Sequence, residues 1–200
     1  MDAIEAIRSR RSHRGLEGNP LPREELAALV DLALRAPAPH HTRPWRFVHV
    51  LPARRAELAD AMGASWRADM ITDGVPSDQQ DRALSRSRRQ IIEAPTLLLG
   101  CLVREGLRAY ADERRAQAEW IMAAHSFGAA LQNILLAAHA RGLGGYWISA
   151  PLYAQEAVRA ALALDPAWYP QACVALGARS TAYEPFARPS PDLADAFIER

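Results

Sequence analysis

The chain has 200 residues, half of them hydrophobic and about a quarter charged, with a formal net charge of +1. Those proportions describe a globular protein, of a size ordinary for a single domain, and the charge balance excludes a global field drawing it to nucleic acid or a membrane surface. All 24 basic residues are arginine, which excludes a Schiff-base lysine and a Walker-type phosphate loop, both of which need an amine.

Residues 2–9 read as a short helix with Ile4 and Ile7 on one face. A basic and then Gly/Pro-broken connector, RSRRSHRGLEGNPLP, follows. Pro22 opens a second helix in its first turn, where a missing N–H costs nothing. Leu26, Leu29, Val30 and Ala33 give that helix its apolar stripe, and it ends before Pro37. The stretch RAPAPHHTRPWRF, residues 35–47, then stiffens a turn with three prolines and leads into a strand, WRFVHVL. Helical patterns follow over 53–69 and 79–92, broken by ITDGVPSD. TLLLGCLV, residues 96–103, is a continuous apolar run of strand length, expected to be a central strand buried on both faces.

Residues 110–140 carry the longest helical pattern, with Trp120, Phe127, Leu131, Ile134 and Ala138 on one face. Two narrow polar stripes run beside them, His125, Gln132 and His139 on one and Glu119, Ser126 and Asn133 on the other. Gly142 is the C-cap of this helix, and a short strand, a helix over 154–164 and a strand over 171–177 complete the pattern. Residues 181–200 form a Pro-rich, then briefly helical extension of a single domain spanning 1–200. The element order gives an α+β sandwich, with helices covering a mixed sheet. Cys101 and Cys173 each lie in an apolar strand and are expected as buried reduced thiols. With no apolar segment before a cleavage site at the N-terminus, the expected location is the cytoplasm, with no membrane contact.

Three arginines, a serine and a histidine make Arg10-Arg11-Ser12-His13-Arg14 a compact anion clamp or a solvated basic patch. In an extended segment Arg10, Ser12 and Arg14 point the same way. GLGGYWIS, residues 142–149, lacks the third glycine of a dinucleotide loop and follows a helix, which disfavours a Rossmann fingerprint. Its glycines would let a flat ring approach the backbone. The histidines have no metal-ligand spacing, and there is no G-x-S-x-G elbow.

Taken in order, RSRRSHR, APAPHHTRPWRF and AAHARGLGGYWIS resemble the FMN-dependent nitroreductase family over most of the chain. The family pattern is RRSxR, a small-residue and proline turn ending in Q-P-W-x-F, and then G-L-G-x-x-W-I. Arg43 stands where glutamine is usual, and His41 where asparagine is usual. Through APAPHHTRP the chain is similar to one branch, the reductase domain of the enzyme that makes the deazaflavin coenzyme F-420. The resemblance implies a nitroreductase-like fold, a mixed, mostly antiparallel sheet flanked by helices with a long buried central helix. It also implies a homodimer with FMN at the subunit interface.

Carried onto this sequence, the resemblance implies that Arg10, Ser12 and Arg14 hold the FMN phosphate, with Arg11 near the ring. Ala38 and Pro39 of one chain would pack on the flavin of the other, and His41 would hydrogen-bond to it. Trp147, Ile148 and Ser149 would line one ring face, with a backbone N–H at Ser149 or Ala150 donating to N5. Arg188, or alternatively Arg179, would reach the phosphate, and Arg89 or Gln90 the pyrimidine end. Residues 65–89 would form the pocket rim, their arginines favouring an anionic substrate. No side chain is assigned as catalytic acid or base, and no metal is implied. The implied activity moves hydride from NADH, NADPH or a reduced deazaflavin through FMN to a small-molecule acceptor, either a nitroaromatic or quinone-like compound or an unsaturated deazaflavin precursor. The alternatives are a flavin-binding module without turnover, for storage or sensing, and a helical interaction protein without flavin.

Overall fold

The run TLLLGCLV forms a strand, β3, over Thr96–Val103, and each of its residues is buried. The computed structural model of the chain describes residues 1–189, 191 and 193–199. Around β3 the chain folds as α1 (Ala3–Ser9), β1 (Leu16–Glu17), α2 (Arg23–Ala33), β2 (Trp45–His49), α3 (Pro52–Thr72) and α4 (Ser77–Ile92). After β3 come α5 (Glu113–Ala140), β4 (Gly144–Ile148), α6 (Ala150–Tyr153), α7 (Gln155–Leu162), β5 (Trp168–Arg179) and α8 (Leu193–Ala196).

β3 lies between β2 and β5, β4 pairs with β5, and the two-residue β1 pairs with the end of β5. Every described pairing is antiparallel, where the sequence pattern allowed a mixed sheet. β5 is also longer than its expected 171–177. Pro170 has no N–H for a ladder, and the fold accommodates it opposite Cys101, at the bulge between Gly100 and Cys101.

Alternation along β3 sends Leu98 and Leu102 into one core and Leu97, Leu99 and Cys101 into another. The first core packs against α2 and α5 through Leu26, Leu29, Phe127, Leu131 and Ile134. The second takes Leu58 and Met62 of α3, Ile91 of α4 and Val158 of α7. Each fully buried leucine contributes about 1.5–3 kcal/mol relative to exposure, and the strand's one hydroxyl, that of buried Thr96, accepts from the Leu21 N–H (2.8 Å). Both cysteines are buried and free, and burial pushes the Cys101 thiol up to about 12.

The polar stripes of α5 find partners. Asn133 donates to the Leu32 carbonyl (3.2 Å), and buried Glu119 accepts from the Arg108 N–H (3.2 Å). Asp112 caps the helix by accepting from the Arg115 N–H (2.9 Å). By length and composition α5 could cross a membrane; here its apolar face forms the first core.

One buried charge joins the layers. Arg55 of α3 donates to the carbonyls of Val50 (3.1 Å), Pro95 (3.1 Å) and Ala94. Its guanidinium thereby ties α3 to the junction between α4 and β3, and burial depresses its pKa. Replacement Arg55→Leu leaves these carbonyls unpaired and is expected to cost about 3 kcal/mol of unfolding free energy, measured by urea denaturation.

Candidate functional site

The segment after α1 is held on three sides. The Arg10 N–H closes α1 on the Ala6 carbonyl (3.0 Å), and the His13 N–H donates to the Gly145 carbonyl of β4 (3.2 Å). The C-terminal extension covers it from outside: the Tyr183 ring lies 4.9 Å from the His13 ring, and the Ser180 N–H donates to the Gly15 carbonyl (2.9 Å). Glycine makes this close approach feasible. A Cβ on Gly15 would fall 2.2 Å from the Tyr183 Cβ, and one on Gly144 would fall 2.7 Å from Leu16 and 3.4 Å from the His13 Cβ. The space over Gly144 therefore admits the chain's own N-terminal segment, not the flat ring that the glycine-rich turn led us to expect. Gly142, at φ 81°, does end α5 as expected.

Guanidinium charge collects at this point. Arg188 Nη2 donates to the Arg10 carbonyl (3.2 Å), while Arg11 folds back on the carbonyls of Arg8 (3.0 Å) and Arg10 (3.2 Å). Burial, then Arg188, then Arg11 depress the pKa of Arg10. Among the described residues, the buried Arg10 Nη1 has no hydrogen-bond partner. Among the described residues, no carboxylate forms an ion pair with Arg10, Arg11, Arg14 or Arg188. Of the two C-terminal arginines considered from sequence, Arg188 is the one beside Arg10; Arg179 is engaged with Leu143 and His139. Ser12 is half-buried between Arg11 and His13.

Arg14 goes elsewhere. Its guanidinium stands 5.7 Å over the Tyr146 ring and lines a cleft of about 280 Å³ with Arg86, Arg89 and Gln90 of α4. Arg10 does not line that cleft; it lies beside Arg11 and Arg188, so Arg10 and Arg14 have different surroundings within the chain. Arg86 and Gln90 also line a larger, adjoining cavity of about 500 Å³ between the α3–α4 hairpin and the β4–α6 junction. Trp66 and Asp69 of α3, Ile148, Ala150 and Tyr153 complete its walls. The α3–α4 hairpin, which contains most of the polar 65–89 segment and its Trp66, thus forms one wall of a cavity, whereas no motif flagged Tyr153.

Neighbours on a strand face opposite ways, and this divides the expected ring wall. Ile148 enters the second core and the large cavity, while Trp147, 39% exposed, lies on the other side, its ring against Gly128 of α5. Within one chain the two side chains lie on opposite sides of β4. Ser149 follows as the exposed N-cap of α6.

The proline turn lines a third cleft, of about 370 Å³, in which Ala38 and Pro39 meet Met122, His125 and Ser126 of α5. His40, His41 and Arg43 all adopt positive φ (53°, 57° and 47°). Left-handed backbone at non-glycine residues costs about 1–3 kcal/mol each. It is held by buried Trp45 behind the turn and by Thr42, whose N–H (3.1 Å) and hydroxyl (2.9 Å) both donate to the Pro39 carbonyl. His40 and His41 are exposed. Within one chain, none of residues 10–14 lines the cleft that Ala38 and Pro39 line.

The sequence profile of the nitroreductase family matches residues 7–178. The chain is 30% identical over 178 residues to a 5,6-dimethylbenzimidazole synthase from Rhodospirillum rubrum, covering 84% of this chain and 77% of that one. A Methanothermobacter thermautotrophicus protein, whose name pairs NADH dehydrogenase with NAD(P)H nitroreductase, is 27% identical over 147 residues; the match spans 74% of this chain but only 60% of that longer relative. A Desulfovibrio desulfuricans structure solved in complex with FMN superposes with a TM-score of 0.71 at 25% identity, covering 100% of this chain and 98% of that one.

The packing of Tyr183 on Gly15 yields a direct test. Gly15→Val is expected to displace Tyr183 and to speed amide exchange across residues 181–189 by about tenfold or more, read by hydrogen exchange and mass spectrometry.

Proposed function

Because the chain belongs to the nitroreductase family, we propose that it binds FMN and acts as an FMN-dependent oxidoreductase, with NADH or NADPH as donor and a small organic molecule as acceptor. The observation that carries this reading is the guanidinium cluster. Arg10 has a buried, unpartnered Nη1 and is crowded by Arg11 and Arg188, without a described carboxylate to neutralise them. A phosphate monoester provides both the charge and the acceptor oxygens those donors lack. FMN bound to the similar Desulfovibrio desulfuricans protein supports the same choice.

When bound, FMN supplies the two-electron hydride chemistry; the chain's residues hold and shield it. Arg10 and Arg188 grip the phosphate, with Ser12 beside them and Arg11 adding charge. Arg14, Arg89 and Gln90, which share a cleft, hold the pyrimidine end. Ile148 and Ala150 form the floor of the ring site. The N–H groups at the start of α6 have no intrahelical partner, so Ser149 or Ala150 donates to the ring nitrogen that gains and loses hydride. Trp66 and Tyr153, on the walls of the large cavity, face the second reactant.

The reading further holds that the active unit is a homodimer. Ile121, Met122 and Trp147 are exposed large apolar side chains on α5 and the edge strand beside it. A second copy covering them would bring its own rigid turn, with Ala38, Pro39 and His41, over the first chain's flavin. Two free, buried cysteines fit a reducing cytoplasm. A second reading of the acceptor is an unsaturated deazaflavin precursor, with a reduced deazaflavin as donor. Arg14, Arg86 and Arg89 line one cleft against a single carboxylate, Glu93, with which none of them forms an ion pair among the described residues, and this excess of positive charge favours such an anionic molecule.

Anaerobic titration of the flavin-loaded protein with NADH, NADPH and a reduced deazaflavin tests the reading. We expect bleaching of the flavin absorbance by at least one donor and its return with an acceptor. Bleaching and return no faster than buffer controls would make the protein a flavin-binding module without turnover. Arg10→Ala is expected to weaken FMN binding by roughly 10- to 100-fold, the value of a hydrogen bond to a charged group, measured by flavin fluorescence.

A further inference from the structure

The ends of three elements meet on one imidazole. His139 lies one residue before the end of α5, Arg179 closes β5 and Ser9 closes α1. Arg179 Nη2 lies 2.6 Å from His139 Nδ1, and Ser9 Oγ lies 2.8 Å from His139 Nε2. Chemistry assigns the protons. A guanidinium only donates, so Nδ1 accepts. The Ser9 hydroxyl spends its proton on the Glu5 carbonyl (2.6 Å), so its oxygen accepts from Nε2–H. The imidazole is therefore neutral, in a single tautomer. Arg179 also donates to the carbonyls of Leu143 (3.0 Å) and His139 (3.3 Å), which fixes it at the negative end of α5.

We propose that His139 is a positioning residue for the phosphate clamp: as a neutral imidazole it holds Arg179 against α5 and, through Ser9, anchors the backbone that carries Arg10 and Arg11. The identity of the anion rests on the FMN reading; the latch itself does not. An imidazolium cannot keep this arrangement, because its Nδ1–H would point at guanidinium donors. The charged groups facing it come from both neighbouring elements, Arg179 from β5 and Arg10, Arg11 and Glu5 from α1 and the segment after it. Burial first, and then the three arginines, hold the imidazole below its ordinary pKa, with Glu5 alone opposing them. As pH falls through the ordinary value of about 6.5 the unfolded chain takes up this proton before the folded one does. The stability that the latch contributes is thus complete above that pH and is lost as pH falls toward the folded value.

The test compares His139→Gln, whose amide can still accept from Arg179 and donate to Ser9, with His139→Leu, which can do neither. In the flavin-free wild type, NMR titration should place His139 below about 6.5, and Arg179→Gln should raise it. Between pH 7.5 and 5.5 the wild type should lose more thermal stability than His139→Gln. At pH 7.5 His139→Gln should bind FMN within about threefold of wild type, and His139→Leu about tenfold or more weakly. An imidazole that titrates at its ordinary value and ignores Arg179→Gln overturns the latch. Equal FMN losses in the Gln and Leu variants overturn its positioning role. A wild-type protein that binds no FMN overturns the flavin reading, while the NMR titration still decides the latch.

Discussion

A half-buried guanidinium with no anion beside it among the described residues is the constraint around which this molecule is arranged. Removing a charge from water is costly unless it is paired or hydrogen-bonded. Arg10 is withdrawn from water, and among the described residues its Nη1 has no partner and Arg188 and Arg11 crowd its charge. Such a cluster opposes its own assembly. If the proposed clamp holds a phosphate in the folded state alone, binding offsets that cost by mass action, and cofactor loading and the order of the N- and C-terminal segments are then parts of one equilibrium. Buried, unpaired His13 Nδ1 and Tyr183 Oη lie in the same region, which concentrates unsatisfied polar groups where the termini meet.

The rest of the fold supplies rigidity around that weak point. β3 and β5 pair along nearly their full length, and two apolar cores clamp them from both faces. Arg55 secures the α3–α4 hairpin to the sheet through backbone carbonyls, so the wall of the large cavity is fixed at its base. The turn at residues 39–43 stores backbone strain against buried Trp45. Strain persists only where surrounding structure over-determines it, which suits a segment that must keep one shape against a ligand or partner.

Much of this arrangement was legible in the sequence, because periodicity survives folding. The unbroken apolar run at 96–103 named the central strand, and the one-sided pattern of Phe127, Leu131 and Ile134 named the core face of the long helix. Short elements were not legible: β1 has two residues and α6 four, too few for a period to register. At the site, the basic run and the proline turn announced themselves by composition. Direction did not. Arg10 lies beside Arg188 and Arg14 over Tyr146, and between them His13 packs on Tyr183, 170 residues away in sequence. Trp147 and Ile148 look like one motif but face opposite layers of the fold. His139 stood on a visible polar stripe, yet its partners come from the distant ends of α1 and β5. Only the fold shows which polar residues share a neighbour.

Riboflavin has the same ring and ribityl chain as FMN and lacks only the phosphate. Side-by-side affinities for the two, measured at one salt concentration, isolate what the arginines contribute. If the cluster at Arg10 is a phosphate clamp, FMN binds more tightly by about two orders of magnitude. Equal affinities would contradict the account, because the guanidinium cluster would then have no part in holding the cofactor.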